Sequence, residues 1–351
     1  MGVKNLSKFI KKYDVTFTMP FKDLKFKTIA IDTPILMYKY ISVNANKINE
    51  PFYNKYEWVW SFIYFIHCLR ENDITPVFIL EGKAPEEKKE IQNIRKNQRK
   101  QIREKTIALE ESLQVYKDTG NLDESLKTEM DKLFLIGNDD SLYMALYKHI
   151  QKRHRYDVEI TIQDYKIFNI LLKILGISYF KAPHEAEALC AYVKNKEWVD
   201  MIYSTDTDVL TYGCSDLIID IDTSNKTFTV IDGKKLLKIL DMNNDMFLDF
   251  CIMCGTDYNK NIPKIGIETA FKLIKQYKSI DNIPMNVDIL NHNFIRNIFK
   301  NYSYTEDYEK FKDIRYGQAQ LRLLTYLLTT LNINIDISYL TKGFHKTSII
   351  F

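Results

Sequence analysis

No apolar run in the sequence approaches the ~20 residues that a membrane-spanning helix needs, so a helical membrane protein is not expected. The start, MGVKNLSKFIKKYD, breaks into charge too early for a signal peptide. Leu6 stands where a myristoylation pattern needs Ser or Thr, so Gly2 is not read as a lipid anchor. Cysteine is scarce: Cys68, Cys190, Cys214, Cys251 and Cys254 are odd in number and scattered, which excludes a disulfide framework and points to reduced thiols inside a cell. Cys251 and Cys254 form a CxxC, but FLDFCIMCG reads as a buried helical stripe. No second pair or histidine cluster completes a zinc site, so core thiols are expected. Repeats and low-complexity tracts are also missing. An excess of one charge is lacking too, since the net charge is only +3. Any nucleic-acid partner must therefore be read from where the charges stand.

What is present is enough chain, 351 residues, for one large core with appended elements. The runs Thr28–Ile31 (TIAI), Val77–Leu80 (VFIL) and Met201–Thr205 (MIYST) read as buried parallel strands. Trp58–Arg70 reads as an aromatic core helix between the first two. Residues 82–140 carry no strand signal and predict two polar helices joined at Thr119-Gly120-Asn121. Tyr165–Leu175 predicts a helix closed by Gly176, followed by a strand at Ile177–Phe180. A helix from Glu185, a strand at Leu217–Ile219 and a hairpin strand at Thr227–Ile231 complete an α/β fold with a mostly parallel twisted sheet flanked by helices. Residues 246–280 read as helix, turn, helix.

Seven acids stand out from this frame: Asp32, Glu81, Glu185, Glu187, Asp206, Asp208 and Asp257. Asp32, Glu81 and Asp206 follow predicted strands directly, at the sheet edge where α/β proteins bind ligands. Asp206 and Asp208 face the same way if the strand persists through them. Glu185 and Glu187 diverge by about 200° inside a regular helix, so they cooperate only where the helix has not yet begun. Each acid has an ordinary reading as well: strand-end Asp as a helix cap, first-turn Glu as a partner of the helix dipole, Asp257 as a turn residue. Convergence favours the other reading, because so many anions at one rim call for divalent metal with oxygen ligands. Carboxylate-only clusters hold Mg²⁺ or Mn²⁺, and ion pairs about 4 Å apart serve phosphoryl transfer. Asp139 with Asp140, and Asp220 with Asp222, lack the strand-to-helix context and are read as solvated.

Between Lys88 and Lys105 lie eight Lys or Arg against two Glu, with Lys88, Arg95, Arg99 and Arg103 along one helical face. A charge run is ordinarily a solvated surface, but this one begins seven residues after Glu81 and so rises from the acidic rim, where cations can hold a polyanion. Tyr38, six residues beyond Asp32, is placed to stack on a base, with a core aromatic as the alternative. In NIPKIGIETAFKLI a tight turn precedes an amphipathic helix whose first NH groups can meet phosphate.

The ordered blocks MGVKNL, IDTPILMYKY, VFILEGKAPEEKK, APHEAEALCAYV, STDTDVLTYG and CGTDYNKNIPKIGIETAFKLI resemble the flap endonucleases and their relatives in the xeroderma pigmentosum G group of structure-specific 5′ nucleases. The resemblance covers residues 1 to about 280. It implies a nuclease core over 1–260 with a helical arch at 82–140, a helix-turn-helix duplex-binding element at 246–285 and a helical extension at 286–351. It assigns the seven acids to two Mg²⁺ ions, with Mn²⁺ able to substitute. Lys88 and Arg95 match the basic pair on the scissile phosphate, and Tyr38 matches the aromatic at the cleaved nucleotide. Gly2 matches a buried N-terminal glycine, implying removal of Met1. Asn261, Ile262, Lys264, Ile265 and Gly266 fall in the turn that holds K⁺ and grips duplex phosphates, and Arg99 and Arg103 extend the DNA-binding face.

Two departures stand out. The family usually has Asp at Glu81, and the extra methylene shifts that carboxylate toward water-mediated coordination. No clamp-binding motif is found: Gln320, Leu323, Tyr326 and Leu327 approach one, yet the stretch reads as an apolar core helix, and the chain stops at HKTSIIF. The short tail suits a viral or divergent member. The expectation is a monomeric nuclease acting on branched or flapped DNA in the nucleus or a virus replication compartment. The alternatives are a 5′-3′ exonuclease or junction resolvase of the same group, and a non-catalytic DNA-binding scaffold. A ribonuclease on the same core would not need the turn at Asn261–Ile265.

Overall fold

The computed structural model describes residues 2–45, 47–48, 52–83, 85–133, 140–300, 311 and 314–335. The strands are β1 (Thr16–Pro20), β2 (Thr28–Asp32), β3 (Thr75–Leu80), β4 (Tyr179–Lys181), β5 (Met201–Tyr203), β6 (Asp216–Asp222) and β7 (Thr227–Asp232). They form one sheet in the order β1-β7-β6-β5-β2-β3-β4. The run from β6 to β4 is parallel, β7 returns antiparallel on β6, and β1 closes that edge antiparallel to β7. The expected mostly parallel sheet is present. β1 is an addition that the sequence pattern hides: it is a half-exposed edge strand ending in Pro20, with no buried apolar run.

Helices α1 (Leu6–Ile10), α2 (Thr33–Ala45) and α3 (Trp58–Glu71) precede β3. After it come α4 (Lys89–Thr119), α5 (Glu124–Leu133), α6 (Asp140–Gln151), α7 (Ile162–Leu175) and, beyond β4, α8 (Ala186–Asn195). The remainder are α9 (Gly233–Leu240), α10 (Asn244–Cys254), α11 (Ile267–Tyr277), α12 (His292–Lys300) and α13 (Leu321–Thr330). Alternation along the strands sorts them into two layers. Ile29, Ile31 and Phe78 face α3, α7 and α13, whereas Ala30, Val77 and Ile79 face α1, α8 and α10. Trp58, Phe62 and Phe65 of α3 are fully buried, and each such side chain contributes about 1.5–3 kcal/mol.

Local chemistry sets the ends of these elements. Thr161 and Asp164 form a reciprocal capping box at the start of α7, and Gly176 ends it at φ 65°. Gly120, at φ 70°, ends α4 at the predicted break. Beyond the two helices expected there, α6 adds a third. Leu109, Leu113 and Tyr116 of α4, Leu126 of α5 and Leu142, Leu146 and Ile150 of α6 bury one another in a core separate from the sheet's. Cys251 and Cys254 are buried free thiols in α10, as expected. In α13 the buried positions are Leu324 and Leu328, while Leu323 and Tyr326 are 48% and 72% exposed. The expected core helix is present, with Leu327 also packed against the core, but its buried stripe leaves Leu323 and Tyr326 of the near-motif outside it. Asp220 pairs with Lys39 at 2.9 Å, and Asp222 accepts from the Ser224 and Asn225 amides of the β6–β7 turn. Met1, Asp139, the Asp140 side chain and the tail HKTSIIF lie outside the described residues. No helix among the described residues is long and apolar enough to cross a membrane.

Candidate active site

The parallel strands β2, β3 and β5 end side by side, and the acids gather there. Asp32 is the last residue of β2, 3% exposed, and its Oδ2 accepts from Ser204 Oγ at 2.9 Å. Glu81 follows β3 directly, and its Oε2 accepts from the Ala186 amide at 3.2 Å, which ties it to the start of α8. β5 stops at Tyr203, short of the predicted Thr205, so Asp206 leaves the sheet and caps the 3₁₀ turn Thr207–Tyr212 by accepting from the Asp208 amide at 3.0 Å. The condition of a continuing strand for Asp206 and Asp208 therefore fails. What holds Asp208 is the N-terminal segment: the Val3 amide donates to its Oδ1 at 2.6 Å.

Glu185 is the residue before α8, with extended backbone at φ −89° and ψ 136°, while Glu187 is in the first turn. The helix has not begun at Glu185, which is the geometry that lets the pair act together. Lys88 proves it. Its ammonium lies against Glu185 Oε1, 3.8 Å from Glu187 Oε1 and 3.4 Å from Asp257 Oδ2. Arg95 Nη2 donates to both oxygens of Asp257, at 2.6 and 2.8 Å. Asp257 is thus a buried, doubly paired carboxylate, not a solvated turn acid. Lys88 belongs to the 3₁₀ turn Glu86–Lys88 that feeds α4, so the foot of the basic helix reaches into the rim.

Charge balance in this cluster is incomplete. Burial, reinforced by Glu81, pushes the Asp32 carboxyl up to about 8. Burial, reinforced by Glu185, pushes Glu81 up to about 7. Glu187 and Asp208 are also raised by burial, with neighbouring acids adding to the effect. Asp257 alone is lowered: Lys88 and Arg95 outweigh its burial. Among the described residues no three acidic, His or Cys side chains are yet arranged to hold a metal ion, and Lys88 lies between Glu185, Glu187 and Asp257. An all-oxygen donor set with buried, uncompensated negative charge is the environment that hard divalent cations relieve. The residues fit such a metal.

The other predicted residues surround the cluster. Gly2 adopts φ 82°, and a Cβ on it would lie 2.3 Å from the Asp208 carboxylate, so only glycine lets the N-terminus approach. Tyr38 is half-buried on α2; its hydroxyl donates to the Arg155 carbonyl at 3.1 Å and lies in the field of Arg99. Arg103 is bound to Asp157 through Nε at 2.6 Å and takes no part in the acid cluster. The turn before α11 is formed. Asn261 Nδ2 donates to the Ile265 carbonyl at 2.9 Å, the Ile265 amide to the Ile262 carbonyl at 3.0 Å, Lys264 takes φ 67°, and Gly266 caps α11. Lys4 Nζ donates to Asn261 Oδ1 at 3.0 Å, tying the N-terminal segment to this turn. Sequence reading missed Ser204, Val3 and Tyr258. Ser204 and Tyr258 stand within two residues of predicted acids, and that adjacency was the available signal.

The profile of the XPG N-terminal domain matches residues 1–103, and that of the XPG I-region matches residues 176–257. A probable RAD2-like endonuclease of Invertebrate iridescent virus 6 is 41% identical, over 99% of this chain and 93% of the viral one. The chain belongs to the XPG family of structure-specific 5′ nucleases. Flap endonuclease 1 of Methanosarcina acetivorans is 30% identical over 82% of this chain and 81% of its own. Among solved structures, flap endonuclease-1 from Methanococcus jannaschii superposes with TM-score 0.64 at 22% identity, covering 97% of this chain and 96% of that one. XPG nucleases are metal-dependent hydrolases, which agrees with the donor set described above.

Proposed function

We propose that this chain cuts DNA at single-strand to double-strand junctions with two Mg²⁺ ions held by Asp32, Glu81, Glu185, Glu187, Asp206, Asp208 and Asp257. The carrying observation is the gathering of these acids at the ends of β2, β3 and β5 with Lys88 and Arg95 already among them. Bound divalent ions would supply a nucleophilic water at neutral pH and polarise the phosphate. The protein's own groups do the rest. Lys88 and Arg95 meet the scissile phosphate and stabilise the charge that develops on it, Arg95 exchanging Asp257 for a phosphate oxygen. Hydrolysis leaves a 5′-phosphate on one product and a 3′-hydroxyl on the other. Tyr38 stacks on the nucleotide at the cut, Gly2 lets the N-terminus reach Asp208, and Arg99 and Arg103 follow the strand.

The domain assignment belongs to the same proposal: residues 82–140 arch over the 5′ strand, 246–285 grip duplex DNA, and 286–351 extend the core. The turn from Asn261 to Gly266 meets duplex phosphates with K⁺. DNA as partner is supported by the Rad2 catalytic core, solved with a DNA substrate, which superposes at TM-score 0.64. Relatives in Invertebrate iridescent viruses 6 and 3 and in Frog virus 3 support action in a virus replication compartment.

The deciding test compares wild type with Asp206→Asn on a labelled double-flap duplex in Mg²⁺. Cleavage by wild type and its loss in the variant are expected, and cleavage that survives would sink the two-metal assignment. Gapped, flapped and four-way substrates side by side separate flap cutting from exonuclease or resolvase action. A wild-type protein that shifts the flap DNA in a gel yet leaves it uncut would be a binding scaffold.

A further inference from the structure

Tyr258 follows Asp257 in the loop between α10 and α11, and its position is fixed from three sides. Its amide donates to Thr256 Oγ1 at 3.0 Å, and Thr256 is itself bound to Asn259 Oδ1 through its hydroxyl at 2.7 Å. Its ring meets Phe299 of α12 edge to face at 5.7 Å, and Phe299 is 6% exposed. Neither restraint involves the acids. Its ring and its hydroxyl also meet the cluster. Lys88 Nζ lies 4.9 Å from the ring centroid, and the hydroxyl donates to Glu185 Oε2 while Lys88 holds Glu185 Oε1.

One side chain thus touches both a cation and a carboxylate of the site. An aromatic face attracts an ammonium most strongly where water is excluded, and the Lys88 side chain is only 9% exposed. A hydroxyl donated to a ligating carboxylate fixes which oxygen remains for metal, and such supporting contacts control affinity. Leu or Met in place of Tyr258 would fill the gap beside Phe299 without doing either.

We propose that Tyr258 is the positioning residue of this centre, its ring holding the Lys88 ammonium in register with the scissile phosphate and its hydroxyl orienting Glu185 toward metal. This rests on the nuclease reading given above. Two parts of Tyr258 carry two roles, so two substitutions separate them. Tyr258→Phe removes the hydroxyl and keeps the ring. Tyr258→Leu removes both.

Mn²⁺ binding to the DNA-free protein is measured by the electron paramagnetic resonance signal of free Mn²⁺. Single-turnover cleavage of a 5′-flap duplex is measured separately at saturating Mn²⁺, with DNA affinity from fluorescence anisotropy. Tyr258→Phe should weaken Mn²⁺ binding about tenfold, the low end for a supporting contact. Tyr258→Leu should weaken it equally and also slow cleavage at saturating Mn²⁺ by at least about tenfold, with DNA affinity held within about twofold. Adding Lys88→Ala to Tyr258→Leu should cost far less than Lys88→Ala costs alone, because the ring acts through that ammonium. Unchanged Mn²⁺ affinity in Tyr258→Phe overturns the hydroxyl's role. Additive losses from Tyr258→Leu and Lys88→Ala overturn the ring's role. If wild type binds Mn²⁺ and loses affinity on Tyr258→Phe but cuts no flap, the nuclease reading fails while the orientation of Glu185 stands.

Discussion

In chelator the site should carry a pH-dependent instability that Asp32→Asn releases. Asp32 shifts from an ordinary 3.8 to about 8 because burial and the neighbouring Glu81 charge oppose its ionisation. The folded state therefore keeps a proton that the unfolded chain gives up above 3.8, so stability falls as pH rises from there through about 8. One such proton is worth about 1.4 kcal/mol per pH unit. Between pH 5 and pH 8 the loss from this group comes to about 4 kcal/mol, a large share of the 5–15 kcal/mol typical of a folded protein. In Asp32→Asn the side-chain carbonyl can still accept from Ser204 Oγ, and nothing ionises. Urea unfolding followed by tryptophan fluorescence in chelator should show the variant gaining on wild type by about 4 kcal/mol from pH 5 to pH 8. Saturating Mg²⁺ should narrow the gap at pH 8 by selectively stabilising wild type, about 2.7 kcal/mol at a hundredfold excess over its dissociation constant. Parallel pH profiles of the two proteins in chelator would refute the reasoning, as would a wild type that grows more stable with rising pH.

Arg95→Ala should lower single-turnover flap cleavage about 10²-fold if, as proposed, its guanidinium leaves Asp257 for phosphate. The same change should shift the thermal midpoint by only a few degrees. Gly2→Ala places a Cβ 2.3 Å from the Asp208 carboxylate, so weaker Mn²⁺ binding and at least about tenfold slower cleavage are expected; wild-type values for both would show that the N-terminus does not support Asp208. Glu129, 1% exposed, faces Lys105, Lys132, His149 and Arg153 from α4, α5, α6 and the residues after α6, at 3.7, 2.8, 3.0 and 3.4 Å. Glu129→Ala should destabilise the three-helix unit α4–α6 by about 3 kcal/mol. Amide exchange should speed up across α4 to α6 and stay unchanged in β2 and β3.

The sequence revealed the acids because each sits where a local pattern changes: a buried strand ending in Asp32 or Glu81, a proline-marked helix start before Glu185, a glycine-ended helix before Asp257. Those changes are short-range and survive in a string of letters. The fold class was legible for the same reason, since apolar runs of strand length alternate with helical periodicity. β1 was not, because an edge strand needs no apolar run, and its partner β7 lies over 200 residues away in sequence. α6 was hidden by a different cause: it completes a core shared with α4 and α5 that no single segment displays.

The site's electrostatic logic was the least legible part. Which acids are paired and which are stranded depends on Lys88 and Arg95 reaching in from the foot of α4, a contact between segments about 160 residues apart. The same contact explains why those cations belong to the centre and Arg103 does not. Arg95 and Lys88 meet Asp257 of the acid cluster, whereas eight residues further along α4 Arg103 meets Asp157, outside it. A phosphate approaching the rim thus meets cations already held by acids that metal binding would claim. On the proposed reading metal and DNA would support each other: ions held by Glu185, Glu187 and Asp257 would free Lys88 and Arg95 for phosphate, and phosphate would hold those cations away from the acids.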